Sequence, residues 1–229
     1  MLLKPGAKRA VWNAVFRVGR VLGQVAHHRV NTVHGYLALG QWSANMGGLP
    51  TDHVRREDLF AIGLSKVQGA TRPLYLEFGV FAGASLRWWS EHLSTPGATL
   101  VGFDSFEGLP ETWNALMPKG SFGGGGVPQI ADDRVSFEVG WFDQTVPNFA
   151  VPEHDALVVN VDSDLYTSAM IVLDKMEPYL AAGSLLYFDE LNDRDHELRA
   201  LREFLARTGK TIQALGTADG RKGWLFEVS

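Results

Sequence analysis

From about residue 73 onward, short apolar runs alternate with helical patterns, and this alternation constrains the fold more than any other feature. The predicted strands cover residues 74–78, 99–103, 135–139, 157–161, 184–188, 211–215 and 223–228. Helical patterns lie among them, over 84–93, 167–180 and 195–207. Strands that alternate with helices form a mostly parallel sheet with helices on both faces. We therefore predict an α/β fold with seven strands, the last one antiparallel after a tight turn at Asp219-Gly220.

The first 70 residues carry a different pattern, and we predict a helical extension over 1–70 ahead of a single domain over 71–229. Valines recur at helical spacing from Val11 to Val25, with arginines elsewhere, which predicts an amphipathic helix over 8–30. Its apolar stripe favours packing on the domain or on a second subunit, and hence a homo-oligomer. A position on a membrane surface is the alternative.

The rest of the extension is predicted to contain a loop and a second helix. Residues 35–52 are rich in Gly, Asn and Ser, which is typical of a loop. Residues 55–69 carry a helical pattern, with Thr51 or Asp52 available as the N-cap.

Composition excludes several classes of function. A net charge of −5 argues against broad nucleic-acid binding. The chain has no cysteine, which excludes disulfides, thiolate metal sites and a cysteine nucleophile, and which fits a reducing compartment. No segment reaches the roughly 18 consecutive apolar residues of a membrane span, and polar residues interrupt any secretory core in the basic start of the chain. We therefore expect a soluble cytoplasmic protein without stable membrane insertion.

Two predicted strands end in acidic residues, and these ends are the candidate reaction centre. Strand 157–161 is followed by Asp162 and Asp164, and strand 184–188 by Asp189 and Glu190. Ligands of open parallel sheets bind at the carboxyl ends of the strands. If the two ends meet, the carboxylates repel one another unless they are protonated or bridged by a cation. Oxygen ligands without cysteine or a histidine pair favour Mg²⁺, Mn²⁺ or Ca²⁺ over zinc.

The first two strands indicate a nucleoside ligand. Glu77 precedes a turn from Gly79 to Gly83, but Phe81 stands where a dinucleotide motif has its second glycine and would crowd a pyrophosphate. Asp104 ends the second strand, where an acid can accept hydrogen bonds from both hydroxyls of a ribose. A nucleoside without a pyrophosphate fits both features, which points to S-adenosylmethionine.

Longer motifs resemble the macrocin O-methyltransferase family. They are EFGVFAG at 77–83 followed by Ser85, GFDSFEGLPETW at 102–113, VDSDLYTS at 161–168 and FDE at 188–190. The resemblance covers about residues 74–205. It implies a Rossmann-like, class I methyltransferase that depends on S-adenosylmethionine and on a divalent cation, typically Mg²⁺. The acceptor would be a sugar hydroxyl, on a free saccharide, an oligosaccharide or a glycosylated natural product.

The resemblance also implies roles by position. The cofactor-binding residues would be Glu77, Gly79, Gly83 and Ser85 at the methionine part, Asp104, Ser105 and Phe106 at the ribose and adenine, Gly140 and Trp141 at the adenine edge, and Asp162 near the sulfonium. The metal ligands would be Asp162, Asp189 and Glu190, the last of which is Asp in some relatives. Asp164 would be the general base, which accepts the proton of a cation-bound hydroxyl beside Asp162.

Several alternatives stay open at this point. Asp162 could pair only with the ammonium group of the cofactor, Asp164 could cap the following helix, and His196 could serve as the base. The long segment 105–133, with GSFGGGG at 120–126, is either a lid or a disordered linker. The main functional alternative is a metal-independent N- or phenolic O-methyltransferase. A non-catalytic scaffold and a nucleotide-sugar dehydrogenase are weaker alternatives.

Overall fold

A computed structural model describes residues 5–229, with side chains from residue 7 onward, and is built around one eight-stranded sheet. The first four residues of the predicted extension lie outside the described residues. The strands are β1 (Asp52–His53), β2 (Pro73–Phe78), β3 (Thr99–Asp104), β4 (Val135–Val139), β5 (Ala156–Val161), β6 (Leu185–Phe188), β7 (Ile212–Ala218) and β8 (Gly223–Val228).

The strand order confirms the predicted fold class. It is β1-β7-β8-β6-β5-β2-β3-β4. β8 runs antiparallel to both of its neighbours, β6 and β7, and every other pair of strands is parallel. All seven predicted strands are present. β1 is an addition of two residues that pairs with the end of β7, and it is too short to produce a pattern in the sequence.

Helices cover both faces of the sheet, as predicted. They are α1 (Pro5–Val21), α2 (Gln24–Ser43), α3 (Arg56–Val67), α4 (Ala84–His92), α5 (Phe142–Thr145), α6 (Tyr166–Met176) and α7 (Glu197–Thr208). Leu74 and Leu76 of β2 pack in the core that α6 and α7 share, whereas Tyr75 between them packs against α3 and α4. Successive side chains of a strand point to opposite faces, so β2 contributes to both cores. None of these helices is long and apolar enough to cross a membrane.

The N-terminal region differs from the prediction. Two helices, α1 and α2, replace the single predicted helix, because Gly23 adopts an extended backbone (φ −68°, ψ 162°) at the start of α2. Much of the predicted loop over 35–52 is helical, since α2 continues to Ser43. Gly35 is a contact site and not a loop residue: a Cβ there would lie 2.0 Å from the carbonyl oxygen of Asn192. Glycine therefore lets α2 approach the segment after β6.

The predicted N-cap of the next helix is also wrong. α3 begins after Arg55, whose backbone N–H donates a hydrogen bond to the side chain of Asp58 (3.3 Å). Asp52 lies in β1, where its carboxylate accepts a hydrogen bond from the hydroxyl of Thr217 (2.9 Å). The pairing of β1 with a strand about 165 residues later, which no local pattern encodes, removes Thr51 and Asp52 from the helix start.

One further boundary moved, and one turn was confirmed. α6 ends at Met176 instead of at the predicted residue 180, and Gly183 lies in the turn before β6 with φ 88°. The short helix α5 was not predicted. Asp219 and Gly220 have φ of 52° and 64° in the connection between β7 and β8, so the predicted hairpin turn is present.

The register of the central strands decides what the acidic residues can reach. Phe78 of β2 pairs with Phe103 of β3 and with Val161 of β5, and Val161 pairs with Phe188 of β6. Four neighbouring strands therefore end at the same level. The chain passes from β2 to β3 on one side of the sheet and returns at β5 on the other, so a crevice opens between β2 and β5 at their carboxyl ends.

Candidate active site

A cavity of about 1230 Å³ opens at this edge of the sheet. Its walls come from the turns after β2, β3, β5 and β6, from α2 and from the segment 105–133. It is lined by most of the residues that were predicted for the site: Glu77, Gly79, Ser85, Asp104, Ser105, Gly140, Trp141, Asp162, Asp164, Asp189 and Glu190. Ligand pockets commonly measure about 300–1,000 Å³, so the cavity has room for a cofactor and an acceptor together.

Two predicted cofactor residues do not line this cavity. Gly83 has φ 74° at the start of α4, and a Cβ there would lie 2.8 Å from the ring of Pro128. Phe106 lines a smaller neighbouring cavity together with Phe81 and Phe122. The structure thus gives both residues a part in packing the segment 105–133, and their contact with a cofactor stays a prediction.

The segment 105–133 forms an ordered wall of the cavity. The indole N–H of Trp113 donates a hydrogen bond to Asp193 (2.8 Å), which follows β6. The hydroxyl of Thr167 on α6 donates to Glu111 (2.9 Å). These bonds connect the segment to the acidic side of the site, so the structure favours the lid interpretation over the disordered linker.

The turn after β2 is pressed against the turn after β5. Gly79 has φ 99°, and a Cβ on it would lie 1.7 Å from the carbonyl oxygen of Asp162. The N–H of Asp162 donates to the carbonyl of Phe78 (2.9 Å). A residue with a side chain at position 79 would separate the two strands where the cavity begins.

Asp104 shapes the same turn. Its Oδ2 accepts hydrogen bonds from the backbone N–H groups of Val80 and Phe81, both at 2.8 Å, and its Oδ1 accepts one from the N–H of Phe106 (2.7 Å). A carboxylate has about four lone-pair sites, and these three bonds leave one of them free, on Oδ1. Asp104 can therefore hold the turn and still accept a hydrogen bond from a ligand in the cavity.

Glu77 is buried at the inner end of the cavity. The phenol of Tyr75 donates a hydrogen bond to it (2.5 Å) and accepts one from the side-chain amide of Asn160 (3.0 Å). Burial raises the pKa of Glu77 to about 8, although the hydrogen bond from Tyr75 acts in the opposite direction. Glu77 therefore holds a proton at neutral pH as long as no cationic ligand lies beside it.

Asp162 and Asp189 meet at one guanidinium group. Nη1 of Arg56 lies 3.2 Å from Oδ2 of Asp162 and 3.4 Å from Oδ1 of Asp189. Asp189 Oδ1 also accepts a hydrogen bond from the phenol of Tyr187 (2.6 Å). Burial and repulsion by Asp189 and Asp164 raise the pKa of Asp162 well above its usual range, against the attraction of Arg56. The two strand ends therefore do converge, as the sequence predicted, with Arg56 between them.

Glu190 has a different partner. Its carboxylate forms a salt bridge with Lys222, which follows the turn between β7 and β8. Burial raises the pKa of Glu190, and Lys222 opposes this. Within residues 5–229 no three acidic or histidine side chains are close enough to hold a metal ion as they stand. The predicted metal ligands line one cavity, but each already has a side-chain cation as its partner.

Asp164 has a strained backbone. Its φ is 62°, in the left-handed region that costs a residue other than glycine roughly 1–3 kcal/mol and that recurs at functional sites. Burial, followed by repulsion from Glu190 and Asp189, raises the pKa of Asp164 to about 7. The N-cap position of α6 is occupied by Leu165, whose side chain makes no capping hydrogen bond, so the interpretation of Asp164 as the helix cap is wrong.

Glu197 is a site residue that sequence reasoning missed. Its fully buried carboxylate accepts hydrogen bonds from the N–H groups of Ser163 (3.1 Å), Asp164 (3.2 Å) and Glu190 (3.1 Å). Burial raises its pKa well above the usual range, and the three N–H donors favour the charged form. One side chain thus fixes both acidic turns. At the start of a predicted helix it looked like an ordinary surface acid, and no signal in the sequence distinguished it.

His196 is positioned as a hydrogen-bond donor. Its Nδ1 accepts a hydrogen bond from the N–H of Tyr166 (3.2 Å), which leaves the proton of a neutral imidazole on Nε2. In that tautomer neither nitrogen is available to take a proton from an acceptor. The geometry therefore favours Asp164 over His196 as the base.

Comparison with known proteins identifies the family to which the chain is similar. The sequence model of a family described as a methyltransferase domain matches residues 76–191. A curated relative, the 8-demethyl-8-(2,3-dimethoxy-alpha-L-rhamnosyl)-tetracenomycin-C 4'-O-methyltransferase of Streptomyces olivaceus, is 34% identical over 61 residues. The match covers 27% of this chain and 23% of that protein, so the chain aligns with about a quarter of the relative's length.

Solved structures share the fold. CalS11, a calicheamicin methyltransferase, is 24% identical with a TM-score of 0.59 over 76% of this chain and 80% of that chain. The apo form of CalS11, described as a TDP-rhamnose 3'-O-methyltransferase, is 25% identical with a TM-score of 0.51 over 76% and 81%. Together with the family match, these likenesses confirm the fold and the resemblance that were predicted from the sequence.

Proposed function

The chain belongs to the methyltransferase domain family, and from this premise we propose that it transfers the methyl group of S-adenosylmethionine to a hydroxyl of a sugar with the help of a divalent cation. The observation that carries the proposal is the convergence of Asp162, Asp164, Asp189 and Glu190 in one cavity, beside the glycine turn of β2.

The residues present fit S-adenosylmethionine. When bound, this cofactor supplies an electrophilic methyl group on a positively charged sulfonium. The cavity offers it Glu77 from β2, Asp104 at the end of β3 and a third acid in Asp162 after β5. The hydroxyl of Ser163 is buried at the cavity and has no hydrogen-bond partner among the described residues, which leaves it available to a ligand. These groups suit a cationic ligand that carries an amino acid and a ribose.

The donor set also fits a hard divalent cation. Asp162, Asp189 and Glu190 supply carboxylate oxygens only, which suits Mg²⁺, Mn²⁺ or Ca²⁺. Burial, and after it the repulsion of neighbouring acids, raises the pKa values of Asp162 and Glu190, although Arg56 and Lys222 act in the opposite direction. When bound, such a cation lowers the pKa of a coordinated hydroxyl.

Asp164 is the residue that takes up the proton of the acceptor. With a pKa near 7 it is half ionised at neutral pH, which is the range in which a general base works best. Glu197 holds the N–H of Asp164 and that of Glu190, and so keeps the base at a fixed position relative to the other acids. His196 can donate a hydrogen bond from Nε2 to an acceptor oxygen in the same cavity.

The acceptor side of the cavity is formed by α2 and the segment 105–133. Asn31, Thr32 and Tyr36 from α2 line the cavity, as do Trp113 and Leu116 from the segment. Polar groups next to aromatic and apolar ones are typical of sugar sites. The names of the Streptomyces olivaceus relative and of apo CalS11 both specify a rhamnose, which makes rhamnosides the first acceptors to test.

A metal-independent methyltransferase that acts on a nitrogen or a phenol is the second candidate. The observation in its favour is the pairing of all three proposed metal ligands with Arg56 or Lys222. In that case the two side-chain cations would balance the acids permanently, and an acceptor that ionises more readily than a sugar hydroxyl would need no added cation.

A methyl-transfer assay separates these candidates. The purified protein is incubated with S-adenosylmethionine and a panel of rhamnosides, free sugars, phenols and amines, with either MgCl₂ or excess chelator, and S-adenosylhomocysteine is quantified. We expect turnover of a rhamnoside with Mg²⁺ and almost none with chelator. Full turnover with chelator would contradict the cation dependence. Calorimetry with S-adenosylhomocysteine and with NAD tests the cofactor itself, since tight binding of NAD alone would point to a dehydrogenase.

Location and assembly complete the proposal. A cytoplasmic site of action fits the absence of cysteine from the sequence. A small-molecule or saccharide acceptor fits an acidic protein with no excess of positive charge for nucleic acid. Assembly into a homo-oligomer through the N-terminal helices fits the exposed apolar side chains of α1.

A further inference from the structure

We propose that Arg56 occupies the cation position of the carboxylate cluster in the cofactor-free protein, and that a divalent cation binds there only after the guanidinium has left. This inference rests on the proposed cation dependence. It makes Arg56 a built-in competitor that sets how tightly the protein binds its cation.

Arg56 joins two of the three acids that would hold the cation. A single nitrogen, Nη1, lies 3.2 Å from a carboxylate oxygen of Asp162 and 3.4 Å from one of Asp189. These two residues end β5 and β6, adjacent strands whose ends are level. Lys222 contacts only Glu190 among the three proposed ligands, so it balances one acid without joining two strands. Of the two, Arg56 is therefore the group that lies where the cation would bridge.

The position of Arg56 in the fold allows its side chain to move while its backbone stays fixed. It is the first residue of α3, whose Leu59 and Phe60 are buried in the core and whose start is held by Asp58. Its side chain is 40% exposed, against 25% for Asp162 and 16% for Asp189. Rotation into solvent therefore restores the hydration of the guanidinium without unfolding any helix.

Electrostatic repulsion prevents the guanidinium of Arg56 and a divalent ion from occupying the carboxylate cluster at the same time. At contact distance in a partly buried site, a guanidinium and a divalent ion repel each other strongly. The guanidinium brings one charge to a cluster of four acids, whereas the divalent ion brings two and can take oxygens from more than two of them. Exchange of Arg56 for the ion therefore lowers the repulsion among the acids, at the cost of the two ion pairs of Arg56.

Arg56 and the acids that it contacts come from different parts of the chain. Residue 56 lies outside residues 76–191, the segment that matches the methyltransferase family. The acids belong to the matched segment, and the competitor comes from the region before it. Cation affinity would thus be controlled by a residue of α3, an element outside the matched segment.

The test is a cation titration of the full-length protein without cofactor or acceptor. MnCl₂ and MgCl₂ are titrated calorimetrically into the unaltered protein, Arg56→Gln and the control Arg55→Gln. Arg55 is the exposed neighbouring arginine, and its backbone alone caps α3. We expect Arg56→Gln to bind the cation about tenfold more tightly and Arg55→Gln to bind it as the unaltered protein does. Arg56→Lys keeps the positive charge. Its cation affinity should therefore lie closer to that of the unaltered protein than the affinity of Arg56→Gln does.

Two outcomes would contradict the proposed competition between Arg56 and the cation. Unchanged or weaker cation binding by Arg56→Gln, with a circular dichroism spectrum like that of the unaltered protein, would overturn the inference. If none of the four proteins binds either cation, both this inference and the cation dependence fail. The transferase proposal would then be judged separately, by methyl transfer in the presence of chelator. A larger rise in melting temperature on addition of MnCl₂ in Arg56→Gln than in Arg55→Gln gives a second supporting readout.

Discussion

At the scale of single residues, Asp164 is marked as a candidate site residue by two features that destabilise the folded chain. A left-handed backbone and a crowd of neighbouring acids both destabilise the folded chain at this position. If the residue served only the fold, glycine would avoid both costs and asparagine would avoid the repulsion between charges. We propose that a chemical role explains the carboxylate at this position, and a proton acceptor is the role that its pKa near 7 suits.

Replacement of Asp164 by asparagine tests that role with little disturbance of the backbone. Asparagine tolerates positive φ, so Asp164→Asn removes the charge and keeps the turn. We expect kcat to fall roughly 100-fold or more, while the Kd for S-adenosylhomocysteine stays within about twofold. Asp133→Asn, at an exposed acid away from the cavity, is the control and should leave both constants unchanged. A variant of Asp164 with normal kcat would exclude it as the base.

Glu77 links the site to the stability of the fold. Its pKa is about 8 in the folded protein and 4.5 in the unfolded chain, so the folded state binds the extra proton between these values. The stability from this group is full below pH 4.5 and is lost as the pH rises to 8, by about 1.4 kcal/mol for each pH unit. A cationic cofactor beside Glu77 should reverse the effect by releasing the proton.

Urea unfolding at several pH values without cofactor measures this linkage. Glu77→Gln cannot titrate, so its free energy of unfolding should fall less steeply between pH 6 and pH 8 than that of the unaltered protein. The slopes of the two plots of unfolding free energy against pH should differ by nearly the amount expected for one bound proton, about 1.4 kcal/mol per pH unit. Glu107→Gln, at an exposed acid, should retain the original slope. Parallel curves for Glu77→Gln and the unaltered protein would mean that Glu77 is ionised in the folded state.

At the scale of secondary structure elements, the active site depends on how closely two turns approach. The turns after β2 and β5 touch at Gly79, and the turns after β5 and β6 are joined by Glu197 from α7. Both contacts involve backbone atoms. The positions of the acidic side chains in the cavity are therefore set by the packing of the strand ends and of one helix, and small shifts of these elements would separate the acids.

A methyl group at position 79 tests the first of these contacts. In Gly79→Ala, the new Cβ would meet the carbonyl of Asp162 at 1.7 Å, on a backbone with φ 99° that alanine adopts poorly. We expect a loss of about 2–4 kcal/mol in the free energy of unfolding and greatly weakened binding of S-adenosylhomocysteine. Gly69→Ala, where a Cβ meets no atom within 4 Å, should change neither quantity by much. Chemical denaturation and calorimetry provide the two measurements.

At the scale of the whole molecule, the most conspicuous feature is the exposure of α1. Apolar side chains along this helix are uncovered, with Val15 54% and Val18 55% exposed, and its charged residues are all basic. Contiguous exposed apolar surface of this kind marks an interaction site. The covering surface is, in our prediction, a second copy of the chain, with a membrane surface as the alternative.

Light scattering after size-exclusion chromatography tests the assembly. We expect the unaltered protein to run above its monomer mass of 25.2 kDa and the double variant Val15→Gln/Val18→Gln to run at that mass. Arg17→Gln, elsewhere on the same helix, should assemble normally. A monomeric unaltered protein that sediments with anionic vesicles would support the membrane alternative instead.

The sequence by itself determined that the chain forms a mostly parallel sheet, which strands and helices follow one another along the chain, and which acids lie at the strand ends. It did so because strand alternation, helical periodicity and strand-end positions are local patterns, readable within about ten residues. The motifs at 77–83 and 161–168 extended this to the family and to Asp162 and Asp164.

Only the tertiary structure decided which groups surround those acids. Arg56 and Asp162 are 106 residues apart, and Glu197 reaches turns 33 and 7 residues away. The sequence near Gly35 indicated a loop, because the reason for that glycine is a contact with Asn192 on another element. Contacts between residues that are far apart in the sequence produce no periodic pattern from which they could be predicted. It is this packing that placed an arginine between two proposed metal ligands and a buried glutamate behind the base.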